Sequence, residues 1–213
     1  MDSKFFEKLK QSIQGNYESG GSHAFDHTQR VYNMAMKLAK GSGADLDVLR
    51  AAALLHDVSR LKEDNDEVEC HAEHGAEMAR KILGELGFPN DKIERVCYAI
   101  KVHRHSKGIN PETIEAEILQ DADRLDALGA ITIARMFSTG GKMEMPIYKE
   151  GIPFGKVYPG YKSDSTIHGF YAKIMKIKPE GFNTKKAKLI AGKRYTFVEK
   201  YLKQFMLEWE GKA

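Results

Sequence analysis

The sequence predicts an all-α protein, a single helical domain over residues 1–213, on three observations. Apolar residues recur at three- and four-residue spacing along nearly the whole chain. Capping residues and Gly or Pro stops punctuate those periodic runs. Only one long stretch resists the helical pattern, at about 138–165.

Phe5, Phe6, Leu9 and Ile13 mark a first amphipathic helix, with Asp2 or Ser3 as its cap. Asp26 is placed to cap a second, running through Val31, Met34 and Leu38 to a stop at Gly41. Asp45 precedes a third, from Leu46 to about Asp57, whose core is the apolar run Ala51-Ala52-Ala53-Leu54-Leu55. A fourth runs from about Cys70 through Met78, Ile82 and Leu86 to Gly87, with Pro89 beyond. Asn90 opens a fifth, striped by Ile93, Val96, Cys97 and Ile100. Asn110-Pro111, a cap and a first-turn proline, starts a long segment through Leu119, Leu125 and Leu128 to Phe137. The last two helices fall at about 166–177 and 184–209. Before them lies the exception, with Gly140-Gly141, Pro146, Pro153 and Pro159. Lys142, Lys149, Lys156 and Lys162 alternate there with Tyr148, Tyr158 and Tyr161, which suits either a lid or a solvated connector.

The chain has 213 residues, 42% hydrophobic and 30% charged, enough for one domain with a full core. Lys and Arg number 33 against 30 Asp and Glu, a net charge of +3 that argues against a dedicated nucleic-acid or membrane binder. No apolar stretch approaches the length of a membrane span, and 1–14 lacks the apolar core of a signal peptide. Cys70 and Cys97 each sit inside a helical pattern, so buried thiols and a cytoplasmic location are expected.

The chemistry concentrates in His27, the adjacent pair His56-Asp57, and Asp123 within Asp121-Ala122-Asp123-Arg124-Leu125-Asp126. Burying such groups unpaired costs about 2–7 kcal/mol for a polar group and far more for a charge, so something must compensate them. Imidazole with carboxylate suits a divalent ion: Mn, Fe, Co, Ni, Zn or Mg. Neighbours on a regular helix point about 100° apart, so His56 and Asp57 reach one ion only if Asp57 lies at or past the last turn. No Gly-x-Gly-x-x-Gly, Walker loop or nucleophile elbow is present.

Ser22-His23-Ala24-Phe25-Asp26-His27, Leu54-Leu55-His56-Asp57 and Gln120 to Gly129 together resemble the HD-domain metal-dependent phosphohydrolases. That resemblance implies an all-α bundle whose metal-site core spans about 22–137, with an irregular loop and C-terminal helices over 138–213. It makes His27, His56, Asp57 and Asp123 the four metal ligands, with Asp121 the fallback if the register slips. Thr166 to Lys173 and Thr184 to Arg194 are similar to the bacterial YpgQ/YedJ-type nucleotide pyrophosphohydrolases, although Gly169 stands where that branch has Phe. The branch implies manganese-supported hydrolysis of nucleoside triphosphates to monophosphate and pyrophosphate. The alternatives are a phosphomonoesterase, a cyclic-nucleotide or alarmone hydrolase on the same site, or a non-catalytic metal- or nucleotide-binding regulator.

His71 before Gly75, and His103 after Ala99-Ile100, match positions that bind a second ion in two-metal relatives. We rank them as substrate contacts and acid–base candidates, with Asp57, ahead of a second ion. Arg60, Lys62, His74, His105, Arg124, Lys173 and Arg194 are the candidates for phosphate binding, since guanidinium forks suit phosphate oxygens. His23 is expected at the helix entry. Glu73 or Glu77 is a candidate for orienting water. The stripe Phe197, Tyr201, Phe205 and Trp209 suits core or homodimer packing.

Overall fold

The computed structural model describes residues 1–17, 25–155 and 163–213. His23, Lys156, Tyr158, Tyr161 and Lys162 lie outside the described residues. Among those described there are ten α-helices and no strand, and no helix is long and apolar enough to cross a membrane. The chain divides into two compact units, Met1–Asp123 and Arg124–Ala213.

The first unit contains α1 (Ser3–Ile13), α2 (Phe25–Ala39), α3 (Leu46–Leu55), α4 (Arg60–Asp64), α5 (His71–Glu85), α6 (Asn90–Val102) and most of α7 (Ile114–Asp126). Asp2 caps α1 by accepting from the Phe5 N–H, and Asp45 caps α3 by accepting from Asp47 and Val48. Helix α3 is the central post: α1, α2 and α6 all pack on it. Val48, Leu49 and 51–55 are all buried, so its apolar character all round is that of a helix enclosed by neighbours. The three alanines let those neighbours come close.

Several boundaries differ from those the pattern predicts. Asp26 is not the cap of α2: the helix already includes Phe25, and the Asp26 carboxylate accepts from Arg30 at 2.6 Å, one turn on. A short α4 forms directly after the His-Asp pair, too brief to show periodicity. Asn110-Pro111 does not start a helix; α7 begins at Ile114, where the Thr113 hydroxyl accepts from the Ala116 N–H. The expected long helix is two, separated at Gly129, whose φ of 90° no right-handed helix contains.

The second unit holds α8 (Ala130–Lys142), α9 (Thr166–Ala172) and α10 (Lys185–Trp209). Helix α8 runs through Gly140-Gly141, so irregular chain begins at 143 rather than 138. Gly140 is there for packing: a Cβ would stand 2.2 Å from the Thr166 hydroxyl, where α8 meets α9. The helix expected over 166–177 tightens into a 3₁₀ turn at Ile174–Lys176. Ser165 caps α9 and Thr184 caps α10. Tyr201 and Phe205 pack with Phe137, Phe170 and Tyr148, whereas Phe197 is 51% exposed.

Candidate metal centre

The centre lies wholly within the first unit. His27 comes from the first turn of α2, His56 caps the end of α3, Asp57 follows it, and Asp123 comes from α7. The end of α3 is held by its own last carbonyls. Ala53 O faces His56 Nδ1 at 3.0 Å, Leu54 O accepts from the buried Tyr17 hydroxyl at 3.0 Å, and Leu55 O accepts from the Val58 N–H at 3.1 Å. The chain turns at the point where His56 and Asp57 must diverge from helical directions. Asp57 is therefore past the last turn, as two adjacent ligands on one ion require.

Two buried clusters result, and Asp57 belongs to both. On one side, His27 Nε2 and His56 Nε2 are 3.4 Å apart, each 3.7 Å from Asp57 Oδ2, and His27 Nε2 is 3.3 Å from Asp123 Oδ1. On the other, His71 Nε2 and His103 Nε2 are 3.4 Å apart and lie 3.2 and 3.7 Å from Asp57 Oδ1. His27, His56, Asp57, His71 and His103 are all at most 5% exposed. Such convergence of buried lone pairs fits a divalent cation of mixed nitrogen and oxygen preference.

Electrostatics favours the ligating forms of His56 and Asp123. Burial is the largest influence on His56 and pushes its pKa down to about 4, keeping the ring neutral at physiological pH. With Nδ1 donating to Ala53 O, Nε2 is left with a lone pair turned into the cluster. Burial also acts to lower His103, but the Asp57 hydrogen bond and the Asp123 and Asp57 charges outweigh it and raise its pKa. Asp123 is opposed by burial too, yet His27, His56 and His103 hold it below the ordinary carboxylate range.

The other expected residues are placed as follows. Arg60 is half-buried beside His71 and donates Nε to Asp64 Oδ1 at 3.0 Å. Lys62 lies on α4 and is partly exposed. His74 Nδ1 meets the buried Ser59 hydroxyl at 2.6 Å, and His105 is exposed on a 3₁₀ turn. Glu73 and Glu77 are exposed. Arg124, Lys173 and Arg194 belong to the second unit. There Arg124 lies over the Phe182 ring and donates to Gly181 O, Arg194 donates to Leu125 O, and burial lowers the pKa of Lys173.

Two residues absent from the expectations stand beside the cluster. Glu63 Oε2 accepts from both the backbone N–H and Nδ1 of His71, each at 2.6 Å, and Arg104 Nη1 donates to both Glu63 oxygens at 3.1 and 3.0 Å. Burial opposes the charge on Glu63, but these donors hold its pKa at about 2. Nothing in the sequence distinguishes Glu63 from the other acids around it except its place between the His-Asp pair and His71.

The HD domain profile matches residues 24–128. A crystal structure of an HD-superfamily hydrolase from Bacillus thuringiensis is 33% identical to this chain, covering 97% of each, with a TM-score of 0.78. The chain belongs to the HD-domain family. Another relative is YpgQ of Bacillus subtilis, 29% identical over 198 residues, spanning 91% of this chain and 87% of YpgQ. The crystal structure of YpgQ in complex with ADP matches with a TM-score of 0.75 at 25% identity, covering 98% of this chain and 100% of that one. The fold is thus that of HD-superfamily hydrolases, with the His/Asp cluster inside the matched segment.

Proposed function

We propose that this HD-family chain is a metal-dependent nucleotide pyrophosphohydrolase, cleaving nucleoside triphosphates to monophosphate and pyrophosphate. The observation that carries the reading is the buried donor set around Asp57, which has the chemistry of a divalent-cation site. The nucleotide part is supported by the relative YpgQ, whose structure contains ADP. Manganese is the favoured ion on the same resemblance. Two buried free thiols, Cys70 and Cys97, fit a cytoplasmic setting.

In this reading His27, His56, Asp57 and Asp123 hold the ion. When bound, a divalent cation there supplies Lewis acidity toward a phosphoryl oxygen and acidifies water. Asp57 orients the attacking water. Arg60 and Lys62, on the short helix that follows it, neutralise phosphate charge and position the chain of phosphates. A second reading of His71 and His103 is favoured by one observation: their Nε2 atoms and Asp57 Oδ1 converge as a further three-donor group. A second cation there would share Asp57 with the first, leaving the two histidines as ligands rather than phosphate contacts.

Phosphorus NMR of a nucleoside triphosphate digest with Mn tests the bond cut. Monophosphate and pyrophosphate as first products are expected. Diphosphate with orthophosphate, or activity confined to monophosphates or cyclic nucleotides, would sink the pyrophosphohydrolase reading. Replacing Arg60 or Lys62 with alanine should impair hydrolysis of a triphosphate more than of an aryl phosphate; equal losses in kcat/KM would remove their polyphosphate role.

A further inference from the structure

Four histidines surround Asp57, and a carboxylate stands behind His71. His56 Nδ1 and His103 Nδ1 face neutral backbone carbonyls three residues back, Ala53 O at 3.0 Å and Ile100 O at 2.6 Å. His71 opens α5 instead of ending a helix, so no preceding carbonyl of its own helix is available. Its Nδ1 meets Glu63 Oε2 at 2.6 Å. Arg60 Nη1 stands near the same nitrogen at 3.5 Å, but a guanidinium offers only donors, and the shorter contact is to the acceptor. Nδ1 is therefore the nitrogen placed to donate to Glu63, and Nε2 lies 3.2 Å from Asp57 Oδ1.

Glu63 is itself held in place from two directions. It also accepts from the His71 backbone N–H at 2.6 Å, so ring and backbone are gripped by one carboxylate oxygen. Arg104, immediately after His103, donates to both Glu63 oxygens. The resulting chain Arg104–Glu63–His71–Asp57 joins the segment after α3, the start of α5 and the end of α6. A carboxylate behind an imidazole fixes its tautomer and raises its basicity as a ligand.

We propose that Glu63, anchored by Arg104, is a positioning residue that fixes His71 with Nε2 unprotonated, and so enables Asp57, His71 and His103 to take a divalent cation. The proposal rests on the second-cation reading above. It makes this half of the centre dependent on a residue that touches none of the donors of the other half within the contacts described.

The test is titration of metal-free full-length protein with Mn(II), followed by calorimetry and low-temperature electron paramagnetic resonance. Wild type is expected to take two ions and give an exchange-coupled spectrum. Glu63→Gln keeps the side-chain shape and removes the charge; the affinity for one ion should fall about 10- to 100-fold, with the other unchanged and the spectrum becoming mononuclear. Arg104→Met leaves Glu63 on His71 and should produce a smaller loss of the same ion, which serves if Glu63→Gln folds poorly. Both ions binding to Glu63→Gln with wild-type affinity and spectrum would overturn the proposal. A single ion in wild type would instead overturn the two-cation reading, and would do so before any substitution is made.

Discussion

A carboxylate presents two oxygens, and Asp57 turns them to different histidines: Oδ2 to His27 and His56, Oδ1 to His71 and His103. The four histidines each belong to one of the two donor groups, and Asp57 to both. Asp57→Ala should therefore abolish retention of Mn altogether, whereas His103→Ala should only lower the amount bound. Elemental analysis of purified proteins with unchanged helical circular dichroism checks the difference. Full metal occupancy in Asp57→Ala would remove Asp57 from its central place. The residue types at His27, His56, Asp57 and Asp123 are legible in the sequence, because imidazole and carboxylate beside an apolar helix need a partner. Glu63 and Arg104 are not, since an acid and a base in a chain with 30 and 33 of each carry no signal until the fold puts them within 3.1 Å.

At the scale of elements, the glycines of the second unit set how closely helices approach. A Cβ on Gly140 would fall 2.2 Å from Thr166 Oγ1, and one on Gly169 would fall 2.9 Å from the Met136 methyl. Gly140→Ala must push α8 and α9 apart or force Thr166 off its rotamer, and is expected to cost about 1–3 kcal/mol, read as a lower denaturant midpoint. An unchanged midpoint would mean the contact relaxes freely. Gly129 presents the other problem: its φ is 90°, and the Arg194 side chain lies 3.2 Å from where a Cβ would sit. Gly129→Ala should destabilise by about 1–3 kcal/mol, because φ 90° with ψ −157° is a backbone conformation essentially confined to glycine. These two positions also show why the expected helix over 110–137 and the loop from 138 were misplaced. Periodicity continues across Gly129 because the residues on both sides are apolar, and Gly140-Gly141 reads as a break although a helix there simply needs small residues.

Over the first unit as a whole, a charged network ties distant segments. Lys92 Nζ reaches Asp45 Oδ2 at 3.1 Å and Asp47 Oδ2 at 3.0 Å, Arg95 reaches Asp45 and Glu115, and the Met1 amine reaches Asp47 at 2.9 Å. Burial opposes ionisation of Asp45 and Asp47, but Lys92, the Met1 amine and nearby N–H donors outweigh it and lower both pKa values. The same carboxylates raise Lys92. A lowered carboxylate contributes stability above its unfolded pKa and loses it as pH falls through the folded value. A raised ammonium contributes below its unfolded pKa and loses it as pH rises through the folded one. The network should thus stabilise across neutral pH and fade at both extremes. Lys92→Met is expected to cost no more than about 1 kcal/mol at neutral pH, the pairs being partly solvated, and to leave a flatter acid limb in melting temperature against pH. A parallel, merely displaced curve would mean that the network does not titrate as described.

The sequence by itself determined the helical class and the caps Asp2 and Asp45, and it singled out four side chains whose chemistry suits a divalent cation. Those are short-range properties: hydrophobic spacing repeats every few residues, a cap acts within its own first turn, and an adjacent His-Asp pair at the end of an apolar run is costly wherever it is buried. Only the tertiary structure decided that one carboxylate faces two histidine pairs, and that Glu63 and Arg104 stand behind His71. Those relations join segments separated by up to 41 residues within the Glu63–Arg104 contact alone, and they depend on side-chain directions set by where each helix ends. Spacing along the chain does not encode those directions; packing around α3 does.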